Sequence, residues 1–373
     1  VGHCGKKGAR VIYIATGGFR EFKVDNISVE KEILQQAKRY GIRLIGPNCV
    51  GVINTEIGLC LPFQPLPQLK VGPVSILSQS GGVANGYLMR LFAENIGINK
   101  WVSMGNKLDL EETDFLPHLI EDPWTEVICV HSEGLHNGRK LLELARSCSK
   151  PIIFHKTNTS EMTAHVADSH TAAIVNDDRI IDAVCRQGGT IRADTIRKAI
   201  NYAKAFLLPK LRGNRLAVLS RSGGDGVIAA DFCAHYGFER PLFDNHYLKT
   251  VEESFRAKVI RITNPLDLGD IWNFEAYRYI LENALKQEQF DGMLFVFTDN
   301  LRVEHQILVR MVAFLSELAN RYDKPIAFVF HGWNERVDAL KRDVSFPVFS
   351  EIDEAVEALA ISRNFHRKKV CTT

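Results

Sequence analysis

Residues Val74 to Ala84 read Val-Ser-Ile-Leu-Ser-Gln-Ser-Gly-Gly-Val-Ala, and Leu216 to Gly226 read Leu-Ala-Val-Leu-Ser-Arg-Ser-Gly-Gly-Asp-Gly. In each, a short β-rich apolar run meets Ser-x-Ser-Gly-Gly, and a helical pattern follows. The glycines let backbone N–H groups approach a ligand closely, and the new helix directs the positive end of its dipole at the same spot. The serine hydroxyls add donors suited to phosphate oxygens. A single such turn is common in α/β proteins for steric reasons alone. Two of them point to two related α/β domains, each with its turn at the carboxyl end of a strand.

Outward from these turns, strands alternate with helices, the pattern of βαβ units around parallel sheets. Before the first turn the sequence predicts strands at 10–15 and 43–45 around a helix at 29–40. A turn, Gly46-Pro47-Asn48-Cys49, comes next, and then a Pro-rich linker at 61–69. After it come helices at 83–95, 111–120 and 139–147, with strands near Val102 and at 127–131 and 152–155. A single long helix is expected at 191–206. The third block repeats the scheme with strands at 216–219, 292–298 and 326–331 and a last helix near 354–363. The expected blocks are 1–70, 71–208 and 209–373.

The chain of 373 residues is 46% hydrophobic and 24% charged, with a net charge of +2. These values fit a globular protein of two or three domains and give no argument for nucleic acid or membrane binding. No apolar run approaches the ~20 residues that a membrane helix needs. The eight cysteines are scattered without a Cys-x-x-Cys pair, which suits reduced thiols in a cytoplasm and argues against a zinc site. The chain starts at Val1 without Met, as a processed or truncated chain would.

His170 is the most chemical residue of the middle block. It sits in Ala167-Asp168-Ser169-His170-Thr171-Ala172-Ala173, where small neighbours leave the imidazole accessible and Ser169 and Thr171 can donate to an anion held on it. Imidazole nitrogen is a competent nucleophile near neutral pH and can carry a covalent intermediate. Glu133, after the strand at 127–131, is the candidate carboxylate that holds one ring nitrogen and frees the other. The five-residue spacing to His165 does not set up a metal site, and none is expected. Lys107 is a candidate source of positive charge. In the second turn, Asp225 beside the glycines would repel an anion, so a structural or subunit-contact role is expected there.

Gly46-Pro47-Asn48-Cys49-x-Gly51, Ser78-Gln79-Ser80-Gly81-Gly82, Gly105-Asn106-Lys107, Glu133-Gly134 and Ser169-His170-Thr171 occur in this order in the NDP-forming acyl-CoA synthetases. The chain resembles the α subunit or α half of the ADP-forming acetyl-CoA synthetases, and more distantly that of succinyl-CoA synthetase. The likeness runs from the first residue to near the end and includes Asn264-Pro265-Leu266-Asp267. It implies the C-terminal part of a Rossmann-like CoA-binding domain, its front missing, followed by two flavodoxin-like parallel-sheet domains. It further implies a reversible reaction in which acyl-CoA, phosphate and ADP give acid, CoA and ATP by way of an acyl phosphate and a phosphohistidine. The carrier falls on His170 and the stabilising glutamate on Glu133. The phosphate cradle falls on Ser78, Ser80, Gly81 and Gly82, with Ser169 and Thr171 beside the carrier. Asn48 and Cys49 match the segment near the reactive end of CoA. The partner is an ATP-grasp subunit or domain that brings ATP or ADP with Mg2+, in a homo- or hetero-oligomer.

Two other readings exist. Similar domains serve as catalytically silent regulatory modules, against which the retained Ser169-His170-Thr171 argues. Gly224-Asp225-Gly226-Val227-Ile228-Ala229 after a strand, with Asp244 further on, also fits a dinucleotide fingerprint and hence an oxidoreductase.

Overall fold

The computed structural model describes residues 1–23, 26–66, 68–159, 178–254, 263–271, 273–300 and 302–370. The chain divides into two compact units, residues 1–92 with 96–200 and residues 93–95 with 201–373.

In the first unit, β1 (Val11–Tyr13) and β2 (Arg43–Ile45) pair in parallel around the helix Ile27–Arg39. The main sheet of that unit contains β3 (Val52–Asn54), β4 (Leu59–Cys60), β5 (Val71–Ser78), β6 (Ile98–Ser103), β7 (Val127–Ser132), β8 (Ile152–Lys156) and β9 (Ile191–Ala193). Its order is β4-β3-β6-β5-β7-β8-β9. The five strands from β6 to β9 are parallel, and their order of appearance reads 2-1-3-4-5, the flavodoxin-like winding. Every residue of β6, β7 and β8 is buried. Parallel strands covered on both faces need such continuous apolar runs, which is why the alternation of a half-exposed strand is missing from the sequence here.

The second unit repeats the winding. Its strands are β10 (Leu216–Ser220), β11 (Leu266–Asp267), β12 (Gly292–Thr298), β13 (Ile326–His331) and β14 (Val348–Phe349), all parallel. Their order, β11-β10-β12-β13-β14, is again 2-1-3-4-5. Phe295, Phe297, Phe328 and Phe330 fill its core, with ring centroids 5.5 to 6.3 Å apart along and across the two central strands.

Three expectations are corrected. The stretch 191–206 is not one helix: Ile191–Ala193 is an edge strand pairing with β8, and the helix is Ile196–Phe206. Thr195 Oγ1 accepts from the Lys198 N–H at 3.1 Å, so Thr195 caps the helix and the residues before it are free to extend. Strands β3 and β4, where the sequence suggested only a turn and a linker, pair antiparallel into the main sheet through β6. Third, the dinucleotide fingerprint fails on geometry. Gly224 and Gly226 lie within the helix Gly223–His235 rather than in the turn before it, and Asp244 is spent capping the next helix, accepting from His246 and Tyr247.

Candidate functional site

In a 2-1-3-4-5 sheet, ligands bind beyond the carboxyl ends of the strands where the winding reverses, between the first and third strands. Here those are β5 and β7. The first Ser-Gly-Gly turn leaves β5, and Glu133 follows the last residue of β7. The first turn and Glu133, with Gln79 and Glu133 54 residues apart in sequence, are thus brought to adjacent strand ends by the fold, not by their spacing.

The turn is tightly built. Ser78 is fully buried, and its hydroxyl donates to the Ser80 carbonyl at 2.8 Å. Ser80 Oγ accepts from the Val83 N–H at 3.4 Å, and the helix Gly81–Ala93 starts there. The N–H groups of a helix's first turn have no intrahelical acceptor, so those of Gly81 and Gly82 are left for an acceptor outside the helix. A side chain at Gly81 is excluded, since its Cβ would lie 2.7 Å from Val50 Cγ1.

Gln79, buried in the middle of the turn, ties it to Glu133. Its Oε1 accepts from the Glu133 N–H at 2.9 Å and lies 3.4 Å from Ser132 Oγ. Lys156, the last residue of β8, donates to the Glu133 carbonyl at 2.8 Å and to the Asn158 carbonyl at 2.9 Å. Burial pushes its amine down to about 8, against an ordinary 10.5. Neither Gln79 nor Lys156 was singled out from sequence; the position of each at a strand's carboxyl end was the available signal.

Lys107 does not supply free charge. Its ammonium is buried and donates to both Glu112 carboxylate oxygens, at 2.8 and 3.1 Å, and to the Gly134 carbonyl at 2.6 Å. An ammonium taken out of water needs such a counter-ion, and Glu112 neutralises it.

The segment 46–51 arrives at the same edge. The Asn106 N–H donates to the Pro47 carbonyl at 2.9 Å, Asn48 Nδ2 donates to Asn106 Oδ1 at 3.3 Å, and the Val50 N–H donates to Ser103 Oγ at 3.2 Å. Gly105 permits this approach, having φ of +62° and a missing Cβ that would otherwise sit 2.0 Å from the Pro47 oxygen. The Cys49 thiol points inward to the Ile14 carbonyl at 3.2 Å, and burial pushes it up to about 12, so it is a packing group. Ser169, His170 and Thr171 lie outside the described residues. Among the described residues no cluster of three or more His, Cys, Asp and Glu side chains is placed to hold a metal ion.

In the second unit the corresponding crevice, between β10 and β12, holds a carboxylate of its own. Asp225 Oδ2 accepts from Thr298 Oγ1 at 2.5 Å and lies 3.4 Å from His331 Nδ1.

Residues 71–206 match the succinyl-CoA ligase like flavodoxin domain. The α subunit of acetate–CoA ligase [ADP-forming] I from Pyrococcus furiosus is 30% identical over 362 residues, 96% of this chain and 78% of that subunit. The chain belongs to the ADP-forming acetate–CoA ligase family. Acetate–CoA ligase [ADP-forming] I from Archaeoglobus fulgidus is 32% identical over 97% of this chain, which spans about half, 52%, of that longer protein. In structure the chain is similar to the dinucleotide-forming acetyl-coenzyme A synthetase 1 of Ca. Korarchaeum cryptofilum, solved with phosphate and ADP. The TM-score is 0.86 at 27% identity, covering 98% of this chain and 80% of that one. Among the described residues no helix is long and apolar enough to cross a membrane.

Proposed function

We propose that the chain is the α part of an NDP-forming acyl-CoA synthetase, organised as blocks 1–70, 71–208 and 209–373. It interconverts acyl-CoA, phosphate and ADP with acid, CoA and ATP. The observation that carries this reading is the pairing of the Ser80-Gly81-Gly82 helix start with Glu133 across the winding reversal, in a chain of this family.

In the proposed reaction a phosphate oxygen attacks the thioester carbonyl, and the CoA thiolate leaves. The acyl phosphate so formed gives its phosphoryl group to one imidazole nitrogen of His170, and the carboxylate leaves. Glu133 accepts the proton of the other ring nitrogen, which keeps the attacking nitrogen bare and stabilises the cationic phosphohistidine. The Gly81 and Gly82 N–H groups, Ser80 Oγ, Ser169 and Thr171 carry the phosphoryl oxygens, while buried Ser78 braces the turn. Little covalent chemistry is needed beyond a carrier and fixed donors. Asn48 lies toward the reactive end of CoA, with Cys49 packed beneath. The phosphoryl group then passes to ADP, held with Mg2+ on an ATP-grasp subunit or domain, in a cytoplasmic assembly.

The test is label transfer. The chain is incubated with radiolabelled Mg-ATP and a homologous ATP-grasp subunit, with His170→Ala as control. Acid-labile, alkali-stable phosphate on the parent and none on His170→Ala is the expected result. Equal labelling of both sinks the carrier role.

A further inference from the structure

Behind the first turn lies a polar chain that the proposed reaction leaves unused. His131, in β7, is completely buried between Ser78 on β5 and Thr157, the first residue past β8. Its Nδ1 is 3.2 Å from Ser78 Oγ, and its Nε2 is 3.1 Å from Thr157 Oγ1. Burial, helped by His155 and by the Lys107 and Lys156 ammonium groups, pushes its pKa down to about 3. The ring is therefore neutral throughout the range in which a CoA thioester is handled.

The direction of the two bonds follows from Ser78. A hydroxyl has one proton, and that of Ser78 goes to the Ser80 carbonyl at 2.8 Å. Toward His131, Ser78 Oγ has only lone pairs left, so Nδ1 must be the donor. A neutral imidazole that is protonated on Nδ1 is bare on Nε2, which accepts the Thr157 proton. One ring thus orders three groups in sequence, from Thr157 through His131 and Ser78 to the Ser80 carbonyl. That carbonyl also accepts from the Ala84 N–H at 2.9 Å, so it sets the first turn of the helix whose N–H groups face the crevice.

We infer that His131 is a positioning residue for the oxyanion turn, acting as an Nδ1-protonated neutral imidazole that holds Ser78 and, through it, the Ser80 carbonyl. It does not touch the phosphate. This rests on the functional reading above for its kinetic consequence, but the tautomer itself does not.

Two measurements on the full chain test it. The first is the tautomer, read from the imidazole nitrogen signals of His131 in ¹⁵N-histidine-labelled protein, assigned with His131→Asn. A protonated Nδ1 and bare Nε2 are expected; a protonated Nε2 overturns the inference whatever the protein does. The second uses the chain with its ATP-grasp partner. His131→Phe is expected to raise KM for phosphate about tenfold while KM for acyl-CoA stays put, the effect of a small misplacement of binding donors. His131→Asn, whose amide N–H can stand where Nδ1–H stands, recovers most of that loss. If His131→Phe does not fold, Thr157→Val, which strips the ring of its other partner, serves instead and shifts the same constant in the same direction. A kcat loss with KM for phosphate unchanged marks a merely structural role and refutes the kinetic part. Absence of phosphate on His170 in the parent protein would instead count against the function proposed above, leaving the tautomer to be judged by its own signals.

Discussion

Replacing Lys107 by Met keeps the length and bulk of the side chain and removes only the charge and its donors. Four acceptors then lose a bond, at 2.6 to 3.3 Å: both Glu112 oxygens, Ser132 Oγ and the Gly134 carbonyl, which keeps the Ser132 hydroxyl at 2.8 Å. The Glu112 side chain is completely buried, so its carboxylate has no water to turn to. An ionised group stranded in this way costs about 3–5 kcal/mol. A loss of about 4 kcal/mol lowers the melting temperature of a unit of this size by roughly 8–16 °C. Lys107→Met/Glu112→Leu removes both charges and fills the site with apolar groups, which brings stability back to within about 1–2 kcal/mol of the parent. The assay is urea unfolding followed at Trp101 by fluorine NMR of 5-fluorotryptophan, because that ring is wholly buried in the same unit. A probe confined to one unit is needed, since a chain with two units is not bound to unfold in one step. A single variant that loses less than about 1 kcal/mol, or a double variant no more stable than the single one, would refute the assignment of Lys107 as half of a buried ion pair.

Other outcomes follow from the same site. Lys156 has its pKa depressed to about 8 in the folded state against 10.5, so between these values the unfolded chain keeps a proton that the fold has released. Stability therefore rises with pH across that window, by at most about 3 kcal/mol, and the rise shrinks in Lys156→Met when urea midpoints are compared at pH 8 and pH 10. The Cys49 thiol, pushed up to about 12 by burial, stays unmodified in native protein treated with a disulfide reagent, whereas exposed Cys4 and Cys60 react at once. Peptide mapping distinguishes them, and native modification of Cys49 contradicts its packing role. Gly105→Ala forces a side chain into a left-handed conformation with its Cβ 2.0 Å from the Pro47 oxygen, and is expected to cost more than about 2 kcal/mol by thermal unfolding.

The central strands were legible because burial on both faces leaves long apolar runs that no other element imitates: β12 and β13 stand where 292–298 and 326–331 were expected. The short edge strands were not. β9 has three residues and β14 two, too few to carry a period, and each exists because a neighbour offers it a ladder. Among the candidate residues, the Ser-Gly-Gly turn and Glu133 were legible as strand-end positions because each combines a distinctive residue with the end of an apolar run. Lys107 misled, since the sequence offered it as a source of positive charge for the site, while its counter-ion lies in a helix that the loop precedes. Gln79, Lys156 and His131 gain their meaning only from strands brought side by side, across separations of 23 to 54 residues.

The two Ser-x-Ser-Gly-Gly turns differ less in themselves than in what stands across from them. The first faces a crevice walled by Glu133, whose backbone is pinned by Gln79 and Lys156. The second carries Asp225, whose carboxylate accepts from Thr298 and lies beside His331. One turn architecture thus appears twice, once with its helix start open and once with a carboxylate set beside it. Asp225→Ala would remove that carboxylate while keeping the helix start, so testing whether the second crevice can take an anion starts from one substitution rather than from a new loop.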